Sequence, residues 1–244
     1  MTRRLRIFAG PNGSGKSTIV KVVEDGGIHI GIFCNADEYK KSINKLHYFD
    51  FSDLNIDVDS GHFLKSLKNS PLYGKMGMPG LCVFFKIKDN KISFSPSYEV
   101  NDYFTSFLAS YIRERLLKSC DKFSFETVMS HSSKLDFMAK AKKEGFKVYL
   151  YFVSLISPDL NVARVKSRVE EGGHDVPEDK IRERYKRTMN MLLPAMRIAD
   201  ESYIFDNSRE SQDLFAVVKK NTLQLLHDSV PSWFQNYVLN QLKD

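Results

Sequence analysis

The fold is decided by residues 10–18, the stretch Gly10-Pro11-Asn12-Gly13-Ser14-Gly15-Lys16-Ser17-Thr18. It matches the pattern G-x-x-x-x-G-K-[ST], with a short apolar segment at residues 5–9 before it and a helix-compatible segment at residues 16–24 after it. A strand, a glycine-rich turn and a helix in this order predict a phosphate-binding loop, because backbone N–H groups and the positive end of the helix converge on one anion. The alternative, a glycine turn without a ligand, is disfavoured because motif and context are both complete.

The loop residues differ in the chemistry that they offer. Lys16 reaches the β- and γ-phosphates of a nucleoside triphosphate in such a loop, and Ser17 supplies a hydroxyl for Mg²⁺. We expect further cofactor contacts from the other polar and glycine residues of the loop, which are Gly10, Asn12, Gly13, Ser14, Gly15 and Thr18. The sequence therefore predicts ATP and Mg²⁺ as cofactors.

Composition limits the class of protein. The chain has 244 residues, of which 42% are hydrophobic, enough to bury the core of a single domain over residues 1–244. A net charge of +6 suits an anionic ligand such as a phosphate ester. The three cysteines show no C-x-x-C spacing, which excludes a recognisable zinc motif and argues against a disulfide framework. No apolar run approaches the length of a membrane span, so we expect a cytoplasmic protein without membrane contact.

Short apolar segments alternate with helix-compatible ones along most of the chain. Strands are predicted at residues 5–9, 30–34, 122–126, 147–154 and 202–206, and helices at residues 17–24, 100–118, 134–144, 158–170, 178–199, 212–225 and 232–242. Such alternation predicts an α/β fold, a P-loop NTPase with a five-stranded, mainly parallel sheet flanked by helices.

One segment, about residues 44–99, breaks this alternation. Several prolines and glycines at residues 71–80 precede two apolar runs, residues 81–87 and 92–94, which are separated by a turn at residues 88–91. This pattern predicts an insertion that contains a β-hairpin. Either the insertion shapes a substrate pocket or it only packs against the rest of the domain; the sequence leaves both open.

Asp37 follows the second predicted strand, in the run Cys34-Asn35-Ala36-Asp37-Glu38. Ligands of open parallel sheets collect at the carboxyl ends of the strands, so we expect Asp37 to face the same edge as the glycine loop. A carboxylate there accepts a proton from an attacking hydroxyl, helps to hold Mg²⁺, or does both. The alternative is an N-cap of the next helix.

Polar residues also follow the third and last strands. Glu126, Thr127 and His131 suit hydrogen bonds to a polyhydroxylated or phosphorylated acceptor, as does Asn35 after the second strand. For this third-strand end, the alternative is a helix cap at Ser132 or Ser133, with His131 as a bystander. A further set, Asp206-Asn207-Ser208, ends the last strand; Asn207 is a candidate adenine contact, or the three residues form a turn.

Arginines flank a glycine pair after the fourth strand. Arg164 and Arg168 lie four residues apart on one helix face, Gly172-Gly173 follow, and Arg182 and Arg184 come next. A helix, a glycine hinge and a second helix, over about residues 164–187, predict a lid whose guanidinium groups stabilise a transferring phosphoryl group. The alternative is a solvated face whose arginines pair with neighbouring glutamates.

Taken together in this order, the motifs resemble those of the zeta-toxin family of P-loop kinases, and within it the subgroup of predicted ATPases. The matching stretches are GPNGSGKST, NADE (35–38), FETVMSH (125–131), RVEEGGHDVPEDKIRERY (168–185) and DNS (206–208). The resemblance covers the sheet and the lid and leaves out the insertion and about the last thirty residues.

The resemblance implies ATP-dependent phosphorylation of a small acceptor, which in toxin members is a hydroxyl of the sugar nucleotide UDP-N-acetylglucosamine, and an antitoxin protein as a possible partner. It implies that Lys16 binds phosphate, Asp37 is the base, Glu126 and Thr127 contact the acceptor, and Arg168 is a lid arginine. Toxins of the family carry a second lid arginine near residues 172–174 of this chain. That role passes here to His174, Arg182 or Arg184, or is absent.

Two other classes of function remain. One is an ATP-driven switch or interaction protein without a small acceptor; against it, the fourth strand leads into Val153-Ser154-Leu155, with no Asp-Glu pair to hold a hydrolytic water. The other is a nucleic-acid end kinase or binder. The basic charge permits it, but no RNA-recognition signature or dense basic tract supports it, so nucleic acid is the least favoured partner.

Overall fold

The computed structural model describes residues 2–77, 84–173 and 175–242. The chain forms two compact units: one contains the residues up to Gly31 together with those from Asp121 onward, and the other contains Ile32–Cys120. The phosphate-binding motif, the lid segment and the last strands all belong to the first unit. The second unit contains the segment around Asp37 and the predicted insertion.

The helices and strands, in chain order, are β1 (Arg3–Ala9), α1 (Lys16–Asp25), β2 (Ile32–Cys34), α2 (Ala36–Leu46), β3 (Tyr48–Asp50), α3 (Ser60–Lys68), β4 (Phe85–Lys88), β5 (Lys91–Phe94), α4 (Asp102–Ser119), β6 (Lys122–Thr127), α5 (Ser133–Lys143), β7 (Phe146–Ser154), α6 (Pro158–Glu170), α7 (Glu178–Ile198), β8 (Glu201–Asp206), β9 (Asp213–Lys219), β10 (Thr222–Leu225) and α8 (Ser232–Phe234). All five strands predicted from the sequence are present, as β1, β2, β6, β7 and β8.

The sheet of the first unit has the strand order β10-β9-β8-β7-β1-β6. Strands β6, β1, β7 and β8 run parallel, so their carboxyl ends meet at one edge. Their inward side chains form the core; Leu5, Ile7, Phe125 and Leu150, for example, are fully buried. Helices α1, α5 and α7 contact these strands. The prediction of an α/β fold with a mainly parallel sheet is confirmed, but the predicted number of five strands is too low, because β9 and β10 add to the sheet.

The prediction of a helix at residues 212–225 is wrong. This segment forms β9 and β10, an antiparallel hairpin that extends the sheet beyond β8. Lys220 and Asn221 both have left-handed backbone angles (φ 49° and 61°) and close a two-residue turn, a geometry that interrupts a helix. Phe215 and Val218 are buried while Lys219 is exposed, and Phe215 packs against Trp233 and Phe234.

The second unit contains a three-stranded antiparallel sheet, in the order β3-β5-β4, beside helices α2, α3 and α4. The predicted β-hairpin is confirmed as β4 and β5, joined by a turn at Asp89 and Asn90 (φ 48° and 63°). The residues predicted to open it, 81–83, lie outside the described residues. Strand β3 and helix α3 did not emerge from the sequence. Phe51, Phe63 and Tyr111 pack edge to face in the core of this unit.

The helix predicted at residues 232–242 is only partly regular. The single α-helical turn α8 leads into a π-helical turn, Gln235–Leu239, and a 3₁₀ turn, Asn240–Leu242. Trp233 and Phe234 are buried and contact Phe215. Among the described residues, none of the helices has the length and apolar character that crossing a membrane requires.

Candidate active site

The glycine loop connects β1 directly to α1, as the motif predicts. Gly15 precedes the first helical residue with a left-handed conformation (φ 93°), and a Cβ at this position would collide with the side-chain amide of Asn207. Only glycine fits here, for both reasons. The Lys16 side chain is nearly buried, with the residue 8% exposed, and its Nζ donates a hydrogen bond to the carbonyl oxygen of Pro11 at 3.0 Å. The lysine therefore lies across the mouth of its own loop.

Glu126, near the carboxyl end of β6, contacts both functional side chains of the loop. Ser17 Oγ donates a hydrogen bond to Glu126 Oε2 at 2.9 Å, and Lys16 Nζ lies 3.8 Å from Glu126 Oε1. The parallel register explains this proximity, because Glu126 pairs with Phe8 near the end of β1. The sequence suggested Glu126 as an acceptor contact and gave no sign that it meets Lys16 and Ser17.

Two asparagines donate hydrogen bonds to carbonyl oxygens of the loop. Asn207, which follows β8, donates from Nδ2 to the carbonyl of Ser14 at 2.9 Å, and Asn161 on α6 donates from Nδ2 to the carbonyl of Asn12. The sequence pattern makes Asn207 a candidate contact of the adenine ring and does not single out Asn161. No local signal identifies Asn161, because its partner lies 149 residues away in the chain.

Three buried polar atoms of this region have no hydrogen-bond partner within the described part of the chain: Asn12 Oδ1, Ser14 Oγ and Asn161 Oδ1. Leaving a buried donor or acceptor unpaired costs about 1–3 kcal/mol, so such atoms are uncommon outside functional sites. Further atoms of this kind, such as Ser124 Oγ and Ser202 Oγ, lie elsewhere in the described chain, but these three all surround the loop, which suits a polar ligand.

The donor set beside Lys16 fits Mg²⁺. Ser17 offers a hydroxyl group, and the Glu126 carboxylate lies within hydrogen-bond distance of that hydroxyl. Hard oxygen donors of this kind suit Mg²⁺. Within the described ranges, no cluster of three or more His, Cys, Asp or Glu side chains forms a metal cage. At nucleotides, Mg²⁺ keeps several waters and binds through one or two protein groups and the phosphates.

The other polar residues after β6 make local contacts. Thr127 accepts two hydrogen bonds, from Gly10 N–H at its carbonyl (3.3 Å) and from Met129 N–H at its Oγ1 (3.0 Å). His131 Nδ1 accepts from the backbone N–H of Ser133 at 3.2 Å and lies 3.0 Å from Ser133 Oγ. The His131 side chain thus accepts a hydrogen bond from the first residue of α5, whereas Ser132 occupies the N-cap position without a side-chain capping bond.

Asn35 and Asp37 belong to the second unit, at the start of α2. Asn35 Oδ1 accepts a hydrogen bond from the backbone N–H of Asp37 at 2.9 Å, which makes Asn35 the N-cap of this helix. The alternative considered for Asp37, that it caps the helix, is therefore wrong. Asp37 lies in the first helical turn and is exposed to solvent.

The lid segment forms two helices, α6 and α7. Helix α6 ends in a complete Schellman motif: Gly172 has φ 84°, its N–H donates to the carbonyl of Val169, and Gly173 N–H donates to the carbonyl of Arg168. The glycine pair thus has a capping role in addition to any hinge role. A buried apolar cluster joins the two helices through Val162, Val165, Val176 and Ile181. His174, predicted to contact substrate, lies outside the described residues.

The lid arginines differ in their surroundings. Arg168 is exposed near the end of α6, whereas Arg164 is half-buried and donates to the carbonyl of Arg209 at 3.4 Å. Arg182 pairs with Asp159 at 2.6 Å and with Glu178 at 2.9 Å. Its hydrogen bonds to Asp159 and Glu178 raise the pKa of the Arg182 guanidinium above its usual range. A substrate role of Arg182 would require it to exchange these ion pairs for a ligand.

Some solved structures share the fold of this chain. No protein-family model matches the chain. An uncharacterized protein of Haemophilus influenzae is 38% identical over 63 residues, which are 26% of this chain and 45% of that protein. Among solved structures, the complex AvrRxo1-ORF1:AvrRxo1-ORF2 with sulphate ions aligns with a TM-score of 0.57 at 12% identity, over 93% of this chain and 62% of that one. The same complex solved with ATP also gives 0.57, at 14% identity, over 92% and 61%.

The chain therefore shares its fold with the AvrRxo1-ORF1:AvrRxo1-ORF2 structures. A structure from the PezAT toxin–antitoxin system of Streptococcus pneumoniae aligns with a TM-score of 0.49 and 13% identity over 85% of this chain and 68% of that one. The chain spans less than half of its curated relative and about three-fifths of the AvrRxo1 chains. In this fold, the motif GPNGSGKST forms the loop between β1 and α1, with Glu126 beside it.

Proposed function

We propose that the protein is an ATP-dependent phosphotransferase that acts on a hydroxyl group of a small acceptor. The observation that carries the proposal is the cluster of Lys16, Ser17 and Glu126 at the phosphate-binding loop. An ammonium group, a hydroxyl and a carboxylate at the start of a helix are the groups that bind the triphosphate and its metal ion in P-loop enzymes. The AvrRxo1 complex of the same fold was solved with ATP, which supports this choice of nucleotide.

Each loop group has a defined part in this proposal. Lys16 binds the β- and γ-phosphates, and the loop N–H groups orient the triphosphate. Ser17 and Glu126 hold Mg²⁺, which when bound neutralises charge on the phosphate oxygens. Glu126 also provides the counter-charge that keeps Lys16 oriented toward the phosphates. These residues bind and position the donor, and positioning with charge neutralisation accounts for most of the rate in phosphoryl transfer.

The acceptor side of the reaction rests on sequence and resemblance. We propose Asp37 as the base that accepts the proton of the attacking hydroxyl, since its exposed carboxylate has no capping role in α2. Asn35, Thr127, His131, His174, Arg164 and Arg182 are proposed substrate contacts. A sugar nucleotide such as UDP-N-acetylglucosamine is the first acceptor to test, and an antitoxin protein is the proposed partner. The AvrRxo1 chains were crystallised as a complex of two components, which supports a protein partner.

The proposal is tested by incubating the purified protein with Mg²⁺ and γ-³²P-labelled ATP, together with separate pools of sugar nucleotides, nucleosides and oligonucleotides. Label on a sugar nucleotide supports a zeta-toxin-like kinase, and label on an oligonucleotide end would instead assign a nucleic-acid end kinase. Release of labelled phosphate without any labelled acceptor would favour an ATP-driven switch.

Replacement of Glu126 by Gln tests the metal-binding role. This change keeps the size of the side chain but removes its charge, so we expect the Mg²⁺ concentration for half-maximal activity to rise by about tenfold or more. ATP binding without metal should not weaken, because a negative charge beside the phosphates is removed. Initial rates against free Mg²⁺ at saturating ATP measure the effect. Glu144→Gln, an exposed change at the end of α5, is the matched control; an unchanged Mg²⁺ requirement in Glu126→Gln would contradict the assignment.

Replacement of Arg168 by Ala tests the lid. If the guanidinium stabilises charge that develops in the transition state, kcat should fall by about 10²-fold while KM for ATP changes much less. Steady-state kinetics separate the two parameters. Arg187→Ala is the control, because Arg187 forms an exposed ion pair with Glu183 at 3.0 Å, of a kind that contributes little. A rise in KM with an unchanged kcat would make Arg168 a ground-state contact.

A further inference from the structure

We infer that Asn161 and Asn207 are positioning residues that set the direction of the backbone N–H groups in the phosphate-binding loop. This inference rests on the proposed function, since it concerns the same loop, but it assigns the two asparagines a role that requires no contact with the nucleotide. Its evidence is the pair of hydrogen bonds from their side-chain amides to the carbonyls of Asn12 and Ser14.

Both asparagines are held rigidly and away from solvent. Asn161 is fully buried and Asn207 is 6% exposed. Asn207 is fixed by its own backbone N–H, which donates to the carbonyl of Ser154 at the end of β7 at 2.9 Å. Asn161 lies in the first turns of α6, where its backbone carbonyl would be 2.9 Å from a Cβ added at Gly13. The two side chains therefore approach the loop from two different elements and leave it little freedom to move.

Because the peptide bond is planar, a contact that fixes a carbonyl group also fixes the N–H group of the same peptide. The carbonyl of Asn12 and the N–H of Gly13 belong to one planar trans peptide and point in opposite directions; the same is true of the Ser14 carbonyl and the Gly15 N–H. A donor that fixes each carbonyl therefore also fixes the N–H on the other side of the peptide. Hydrogen bonding also polarises the peptide and makes its N–H a stronger donor. The asparagines thereby prepare two N–H groups for a phosphate before the ligand arrives.

Hydrogen bonds of the two neighbouring residues, Asp206 and Ser208, hold Asn207 in place within the first unit. The neighbouring Asp206 accepts hydrogen bonds at Oδ1 from Trp233 Nε1 at 3.0 Å and from Ser208 Oγ at 2.7 Å. Ser208 Oγ in turn accepts from the backbone N–H of Ile156 at 2.8 Å. Asp206 and Ser208 hold the backbone on both sides of Asn207, so its amide is aimed at Ser14 by bonded neighbours. This is why we assign Asn207 to the loop and not to the adenine ring.

The experiment compares Asn207→Leu with Asn207→Asp in the full chain, with ATP and Mg²⁺ as the probe. Leucine removes the donor, and ATP affinity should fall by about tenfold or more, because the Ser14 carbonyl loses its partner and the loop its fixed direction. Aspartate presents a donor only while its carboxyl is protonated. Burial and the facing carbonyl raise the pKa of that carboxyl. Below this pKa the donor is restored, and above it a charged oxygen faces the carbonyl.

We therefore expect the ATP affinity of Asn207→Asp, divided by that of the wild type at the same pH, to rise as the pH falls from about 8 to about 5.5. The same ratio for Asn207→Leu should stay flat. A structural defect alone would not recover at low pH. Asn161→Asp should repeat the pattern if Asn207→Asp does not fold. Asn236→Asp, which places the same charge change at an exposed asparagine, should match the wild type throughout.

A second readout needs no ligand and separates this inference from the proposed function. Backbone hydrogen exchange in the ligand-free protein should be faster at the Gly13 and Gly15 amides of Asn207→Leu than in the wild type or in Asn236→Asp. Faster exchange in a protein that binds ATP but labels no acceptor would support the inference while the phosphotransferase proposal fails. Unchanged exchange together with a flat pH ratio for the aspartate variants would overturn it.

Discussion

Replacing Lys16 with alanine is expected to abolish ATP turnover, with kcat reduced by about 10³-fold. The ammonium group is the part of Lys16 that we propose contacts the phosphates, and it lies 3.0 Å from the Pro11 carbonyl oxygen and 3.8 Å from Glu126 Oε1. Its loss also leaves Glu126 facing the phosphates without a counter-charge, so binding and turnover should weaken together. Phosphate release or acceptor labelling from ATP measures the effect.

The matched control for this change is Lys21→Ala. Lys21 lies on the same helix, α1, but is exposed to solvent, so its removal changes the net charge equally without touching the loop. Its turnover should stay close to that of the wild type. Comparable turnover in Lys16→Ala and Lys21→Ala would show that the loop does not bind a reacting triphosphate, and the proposed function would then fail.

Replacing Asp37 with asparagine is expected to remove phosphoryl transfer while ATP binding stays nearly intact. The amide keeps the size of the side chain but cannot accept the proton of an attacking hydroxyl, and loss of a general base lowers the rate by about 10²–10⁴-fold. The structure shows that Asn35, and not Asp37, caps α2, so this change should cost the helix little. Titration calorimetry with ATP and transfer assays on the same preparation separate binding from chemistry.

Glu38→Gln is the control, because Glu38 shares the first turn of α2 with Asp37 and removal of either charge weakens the interaction with the helix dipole in the same way. This variant should retain transfer. Wild-type transfer rates in Asp37→Asn would end the assignment of Asp37 as the base. If ATP binding is lost together with transfer, Asp37 acts on the donor side instead, for example by holding Mg²⁺.

Local patterns of sequence were sufficient for much of this fold. The five strands, the loop and helices α4 to α7 lie close to their predicted positions, because the apolar and turn residues that predict each of them lie within its own stretch of sequence. The prediction of a helix at residues 212–225 failed because its local pattern is ambiguous. This segment has apolar residues at both helical and strand spacing, and the turn at Lys220 and Asn221, together with a place beside β8, decided in favour of strands.

The sequence by itself determined the loop, since GPNGSGKST between a strand and a helix leaves few other structures, and it determined the mainly parallel sheet that presents this loop. Only the tertiary structure decided what surrounds the loop. Glu126 reaches Lys16 and Ser17 through the register between β6 and β1, and Asn161 and Asn207 reach the carbonyls of Asn12 and Ser14 across more than a hundred residues of chain. The physical reason is that a turn motif is encoded in adjacent residues, whereas the partners of its side chains and carbonyls are chosen by packing between distant strands and helices.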